Sequence, residues 1–292
     1  MSERPPIVLS IAGFDPSSGA GVTADIKTIA AHACYGLACI TGLTVQSTTG
    51  VRKVHALEPE LLTDTLEELA EDFDIAAVRL GLVGDRKTAK AVADFLSAAP
   101  ASRAQNRKAR LPNIVVDPIL KSSSGADLLD SEGAKCMIER LLPLADIITP
   151  NLDEAAAITG KKVRDLEEMK AAAAQLHEMG APAVVVTGGH LEKAVDLLSF
   201  TTRRGVEQEI FKAERQRSKS THGTGCAFAT AIACHLALDR GLAEATLLAK
   251  TYVAAAISNG QSVGRGTGPV HHLYRMGQQR RAAGVGGAEG ES

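Results

Sequence analysis

The sequence predicts an α/β protein built on a largely parallel central sheet with helices on both faces. Three observations carry that reading. Short β-branched or apolar runs alternate with longer helical ones, the pattern of βαβ units. The chain has 292 residues, 45% of them hydrophobic, enough to bury a substantial core. The residues just after each strand-like run are rich in glycine and small polar types, which places polar loops along one sheet edge.

Taken in order, "IVLSIAGF" (residues 7–14) reads as a buried strand, followed by the glycine-rich turn "DPSSGAG" and a helix over about 22–33. "LACITGLTVQS" is strand-like, "PELLTDTLEELAEDF" an amphipathic helix and "IAAVRLGLV" a strand. "DRKTAKAVADFLSAA" is helical, and "NIVVDPIL" is a strand ending in Asp-Pro. Further strands are "DIITP", "PAVVVTGG" and "KAVDLLSF", with helices near 152–159 and 165–179. Two closing helices are expected over about 223–238 and 243–258. The segment 99–112, "APASRAQNRKARLP", reads as a solvated basic surface insertion. Residues 277–292 lack the apolar content to fold and are expected to be a disordered tail, leaving one domain over 1–276.

Composition narrows the function. The formal net charge of -2 gives no basic field for nucleic acid, and 3% aromatic content with no Trp offers no base-stacking surface. No apolar stretch resembles a membrane span, and the N-terminal apolar run is too short for a signal peptide. Five cysteines, an odd number without metal-ligand spacing, suit a reducing cytoplasm.

The strand-end loops are "GFDPSSGAG", "TVQSTTG", "GLVGD", "DPILKSSSG", "TPNLDEA", "TGGH" and "THGTGC". Turns need some of these glycines anyway, but so many at one edge point to a polar, phosphorylated ligand approached by backbone. GxxxxGK[ST] is absent, and "GFDPSSGAG" lacks the GxGxxG spacing of a dinucleotide site. "HGTGC" offers another device. Amides of Gly223, Thr224, Gly225 and Cys226 at a helix start suit the charge of a transferring phosphoryl group. The same field favours the Cys226 thiolate. Cys226 is equally readable as a small buried hydrophobe, as Cys234 is.

Together these segments, with "GTGPVHHL", resemble the ribokinase-like superfamily, and within it the bacterial hydroxymethylpyrimidine/phosphomethylpyrimidine kinases of thiamin synthesis. The resemblance covers about residues 7–276 and implies a three-layer ribokinase-like fold without a separate lid domain. It implies an ATP- and Mg²⁺-dependent enzyme that phosphorylates 4-amino-5-hydroxymethyl-2-methylpyrimidine and then its monophosphate. A pyridoxal or pyridoxine kinase, or a catalytically silent sensor on the same fold, is the alternative. By analogy with the superfamily a homodimer is expected.

The resemblance also implies roles. Cys226 matches the position of the base, and Gly223, Thr224 and Gly225 form the anion hole. Gln46 matches the pyrimidine-recognising glutamine, whose carboxamide donates to a ring nitrogen and accepts from an amine. Gly13, Ala20 and Asp25 wall the pyrimidine, and Leu82 and Ile119 supply its apolar floor. Asp25 is also readable as a charge at a helix N-terminus. The nucleotide side draws on Asp117, Asn151, Glu154, Thr187 and Lys250, with Asp117 and Glu154 acting on Mg²⁺ through waters. Glu154 is equally a first-turn helix carboxylate, and Lys250 a snorkelling side chain. Many relatives carry lysine where this chain has Thr187. His222 is either a base or a loop-packing residue, and no role attaches to His271 and His272.

Overall fold

A computed structural model describes residues 4–98, 110–121, 125, 128–189, 194–213 and 218–276. Most of the basic segment and the whole C-terminal tail singled out in the sequence lie outside the described residues. The strands are β1 (Ile7–Phe14), β2 (Tyr35–Ser47), β3 (Gly50–Ala56), β4 (Ile75–Leu80), β5 (Ile114–Val116), β6 (Ile147–Ile148), β7 (Ala183–Gly188), β8 (Ala194–Thr202) and β9 (Gly205–Ala213). Between them run α1 (Gly21–Ala31), α2 (Pro59–Asp72), α3 (Arg86–Ser97), α4 (Ser131–Cys136), α5 (Leu152–Thr159) and α6 (Leu166–Glu178). Helices α7 (Thr224–Ala237) and α8 (Leu242–Ser258) close the fold.

The described strands form one sheet in the order β3-β2-β1-β4-β5-β6-β7-β8-β9. From β2 to β7 every neighbour is parallel, while β3, β8 and β9 join antiparallel. The parallel centre is the expected one. The antiparallel β3 and β9 were not expected, because "GVRKVHA" and "GVEQEIFKA" carry charges and neither contains a buried residue. A strand open to water on both faces has no apolar signature. Residues 131–144 also add α4, a π-helical turn (Met137–Leu141) and a 3₁₀ turn (Leu142–Leu144) to the expected elements.

Side-chain parity along the central strands makes the layers. Leu9, Val78, Ile114, Val116 and Val184 face a core shared with α2, α3 and α6. Val8, Ala77, Val115 and Val185 face the opposite core, beneath α7 and α8. The same parity puts Ser10 of β1 and Arg79 of β4 on the α7 face. Among the described residues no helix is long and apolar enough to cross a membrane.

Helix α7 explains itself by composition. It packs against α1, α8 and strands β1, β4 and β5, and residues 226–234 are buried without interruption. Only small side chains let one helix sit that close to so many neighbours, hence Ala227, Ala229, Ala231 and Ala233. Its N-terminus is thereby held over the carboxyl ends of the central strands. Ala231 is fully buried, so Ala231→Leu should overpack this contact and cost about 1–3 kcal/mol. A urea unfolding midpoint equal to the wild type's would show that α7 has slack.

Candidate active site

The carboxyl ends of the parallel strands open into a cavity of about 1500 Å³. Strand order sets the order of side chains across it. Gln46 comes from β2, Gly13 from β1, Leu82 from the turn after β4, and Asp117 and Ile119 from the end of β5. Asn151 and Glu154 follow β6, Thr187 ends β7 and Asp196 lies on β8. Five strand spacings separate β2 from β7, about 24 Å, room for a small ring and a nucleotide end to end. The N-terminus of α7 enters near the middle.

That N-terminus is shaped by backbone. Gly223 caps α7 with φ +80°, and a Cβ there would lie 1.8 Å from the carbonyl oxygen of Gly19. No side chain fits. Thr224 N donates to Thr221 O at 3.3 Å, and Ala227 N to Gly223 O at 2.9 Å. The first turn leaves the amides of Gly225 and Cys226 without an intrahelical acceptor. Of the four amides expected from the sequence to face a phosphoryl group, that of Thr224 is thus already engaged. A Cβ on Gly225 would meet only Asp117 Oδ2, at 4.0 Å, so this glycine faces open cavity.

Cys226 lines the cavity but is 7% exposed. Burial pushes its thiol up to about 11, with the Arg79 guanidinium pulling the other way. This runs against the sequence expectation of a thiolate favoured by the helix N-terminus, because desolvation disfavours the charged form.

Beneath the cavity sits a group the sequence reading missed. Arg79 is fully buried, its Nη2 2.7 Å from Asp117 Oδ2 and its Nη1 3.1 Å from Asp25 Oδ2. The guanidinium also contacts the Cys226 thiol. Asp25, expected on the pyrimidine wall, is instead fully buried beneath it. Its carboxylate accepts from Ser10 Oγ at 2.6 Å and from Thr230 Oγ1 at 2.8 Å. The parity of β4 and the α1–α7 contact explain why: Asp25 points into the layer between helix and sheet. The signal for Arg79 was present, a lone charge in the apolar strand "IAAVRLGLV".

Gly13, Ala20, Leu82 and Ile119 all line the cavity, as expected of a pyrimidine wall and floor. A Cβ on Gly13 would come within 2.8 Å of Leu82 Cδ2, so any larger residue there would displace the Leu82 side chain. Gln46 is half-buried, with its side-chain amide between Thr44 Oγ1 and His222 Nε2.

On the other side, Asn151 caps α5 and forms a capping box with Glu154, each side chain accepting from the other's backbone N–H at 2.9 Å. Both line the cavity nonetheless. Burial, then the charge of Asp117, pushes Glu154 up to about 8. Burial likewise pushes Asp117 up to about 6, against the pull of Arg79. Two carboxylates that resist joint ionisation are the donor set a hard dication relieves. Among the described residues no cluster of three or more ligand side chains forms, so such an ion would be held mainly by water and phosphate oxygens, as Mg²⁺ commonly is.

Thr187 is half-buried on the cavity wall and pairs across the ladder with Asp196. Lys250 reaches the same carboxylate, Nζ to Asp196 Oδ2 at 2.5 Å. Its charge is thus already paired, which the sequence did not reveal.

A family model described as phosphomethylpyrimidine kinase matches residues 15–271. The chain is 40% identical over 274 residues to a hydroxymethylpyrimidine/phosphomethylpyrimidine kinase of Rhizobium meliloti, covering 92% of this chain and 97% of that one. It is also 40% identical over 268 residues to the thiamine biosynthesis bifunctional protein ThiED of Geobacter sulfurreducens. That match covers 91% of this chain and 52% of the relative, so the chain spans about half of the bifunctional protein. Among solved structures, a phosphomethylpyrimidine kinase from Clostridium difficile 630 aligns with TM-score 0.73 and 34% identity, over 86% of this chain and 99% of that one. The pyridoxal kinase of Staphylococcus aureus in complex with AMP-PCP and pyridoxal aligns with TM-score 0.79 and 30% identity, over 92% and 94%.

Arg79→Met should cost about 3–5 kcal/mol at pH 8, because it strands buried carboxylates without a cation. A carboxyl raised in the folded state holds its proton there while the unfolded chain has lost it, so stability falls as pH rises through the folded value. For Asp117 that value is about 6, and removing Arg79 moves it higher. The variant's deficit in urea unfolding should therefore be smaller at pH 5 than at pH 8. Equal deficits would mean that packing, not charge, is what Arg79 supplies.

Proposed function

The chain belongs to the phosphomethylpyrimidine kinase family, and we propose that this cavity carries out both of the family's phosphorylations. The first converts 4-amino-5-hydroxymethyl-2-methylpyrimidine to its monophosphate, and the second converts that to the diphosphate, each with ATP. The observation that carries this reading is the order of groups across one continuous cavity. A carboxamide, Gln46, stands at one end, the amides of α7 in the middle, and the carboxylates Asp117 and Glu154 beyond them.

In this reading the ring lies between Gln46 and the floor of Leu82 and Ile119, beside Gly13 and Ala20. The nucleotide lies toward Asn151, Thr187 and Lys250. The amides of Gly225 and Cys226 hold the transferring phosphoryl oxygens in both steps. Asp117 and Glu154 would hold Mg²⁺ through water, and the ion supplies charge neutralisation at the phosphates. The identity to the hydroxymethylpyrimidine/phosphomethylpyrimidine kinase of Rhizobium meliloti, 40%, exceeds the 30% to the pyridoxal kinase of Staphylococcus aureus, which favours the pyrimidine over pyridoxal. A homodimer, testable by sedimentation, and a cytoplasmic location belong to the same proposal; the free, buried cysteines suit a reducing compartment.

Cys226 takes the proton of the alcohol. Magnitudes limit how well it does so. With the thiol at about 11, forming thiolate at pH 7 costs roughly 5 kcal/mol. General-base help is worth roughly 3–5 kcal/mol, so the two nearly cancel at neutral pH. The monophosphate needs no base, because its oxygen is already ionised.

The purified protein, ATP and the pyrimidine alcohol should give monophosphate and then diphosphate, followed by ³¹P NMR; absence of both products would refute the reading. Below the thiol's pKa the thiolate fraction rises tenfold per pH unit. The alcohol step should therefore accelerate about tenfold per unit between pH 7 and 9, with no such slope in the monophosphate step. Cys226→Ala should abolish the slope and, at pH 9, slow the alcohol step more than the monophosphate step. Gly225→Ala places a methyl group where phosphoryl passes in both, so both rates should fall together. Equal losses in the two steps for Cys226→Ala at pH 9 would remove the base assignment.

A further inference from the structure

One corner of the cavity holds four polar side chains: Asp15, Thr44, Gln46 and His222. We propose that Asp15, His222 and Thr44 are positioning residues that lock the Gln46 carboxamide in one of its two orientations, and so set which ring edge it accepts. This rests on the reading of Gln46 as the residue that meets the pyrimidine.

The lock begins with Asp15, a buried carboxylate. Its Oδ1 accepts from Ser17 N at 2.8 Å and Ser17 Oγ at 2.7 Å, and its Oδ2 from Ala20 N at 3.0 Å and Gly19 N at 3.3 Å. His222 Nε2 lies 2.8 Å from the same Oδ2. Burial alone would raise this carboxyl, but the hydrogen bonds from His222 and Ser17 outweigh it and hold it below the usual range. An ionised carboxylate can only accept, so Nε2 of His222 must carry the proton between them. The ring has one place to sit. Its Cδ2 would be 2.2 Å from a Cβ on Gly19, so only glycine admits it there.

The Gln46 amide is pinned between this N–H, which it shares with Asp15 Oδ2 as the longer branch of a bifurcated bond, and a hydroxyl. One terminal atom lies 3.2 Å from His222 Nε2 and the other 3.1 Å from Thr44 Oγ1. Thr44 Oγ1 also lies 3.0 Å from Phe14 O, which can only accept and so takes the hydroxyl's single proton. With the amide nitrogen toward His222, two donors would meet at that end and two acceptors at Thr44. A half-turn of the amide resolves both conflicts at once: oxygen to His222, nitrogen to Thr44. Both ends demand the same orientation. The ladder irregularity between Val45 and Gln46 helps aim the side chain at this corner.

So held, the amide keeps one N–H and one oxygen lone pair for a ligand. Their order is fixed by the protein. A ring nitrogen beside an exocyclic amine matches that order, whereas a ring presenting the two functions reversed leaves both unpaired.

Steady-state kinetics of Gln46→Leu, His222→Phe and the double variant test this. Wild type should phosphorylate the pyrimidine alcohol, and each single variant should raise its KM on the order of 10- to 100-fold, with KM for ATP changed less than about twofold. His222→Phe should add less than about threefold on top of Gln46→Leu, because it acts through that amide. His222→Gln, which restores an N–H, should recover part of the loss. Multiplying effects in the double variant, or an unchanged KM for the alcohol in His222→Phe, would overturn the lock while leaving the kinase reading intact. Should the His222 variants fail to fold, Thr44→Val removes the other end of the lock, and an unchanged KM there overturns it equally. A wild-type protein inactive on the alcohol overturns both readings.

Discussion

The guanidinium of Arg79 ties the floor of the cavity to the rest of the fold. Strand parity turns it toward α7, and full burial leaves it two carboxylates, Asp25 from α1 and Asp117 from the end of β5, as counter-ions. Ser10 of β1 and Thr230 of α7 complete the hydrogen bonding of Asp25. One side chain thus joins the first helix, the helix with the free amides and three central strands. A buried ion cluster of this kind contributes little net stability compared with a packed apolar one, but it is costly to break. What it gives is placement. Asp117, which lines the cavity, is held through Oδ2 from below, and Cys226 lies against the same cation. Gly81 belongs to this arrangement too, since a Cβ there would come within 1.9 Å of Arg79 Nη1.

The electrostatics of the site follow from that burial. Asp117, Glu154 and Cys226 are all pushed toward their neutral forms, each first by desolvation. A site in this condition is poised for an incoming cation and polyphosphate rather than charged in advance of them. Binding Mg²⁺ with ATP would restore ionised carboxylates, coupling metal affinity to pH. The Lys250–Asp196 pair at the far end is neutral overall, and Thr187 stands opposite Asp196 on the ladder.

Much of the fold was legible because its signals are local. Helix α5 has the residue range the sequence gives it, since Asn151 caps one end and Gly160 adopts φ +71° at the other. The parallel strands are apolar runs bounded by polar turns. The two exposed antiparallel strands, β3 and β9, have no such contrast and were invisible. Candidate site residues were legible to the extent that they sit at or just beyond the carboxyl ends of strands, as Gln46, Asp117 and Glu154 do. Long-range pairings were not. Asp15 and His222 meet across 207 residues, and nothing in either loop announces the other. Asp25 was placed on the wrong side of its helix for the same reason, because its partner lies on a distant strand. The state of Cys226 was misjudged because a helix N-terminus can be read from sequence, whereas the depth at which it is buried cannot.

In the proposed reading one cavity orders pyrimidine, phosphoryl group and nucleotide across the carboxyl edge of the sheet. A crystal structure with the pyrimidine alcohol and a non-hydrolysable ATP analogue tests it most directly. The ring edge should lie on Gln46 and the terminal phosphate on the amides of Gly225 and Cys226. The hydroxymethyl oxygen should lie within hydrogen-bond reach of Cys226 Sγ. A ring bound away from Gln46, or a phosphate tail that bypasses the start of α7, would contradict it.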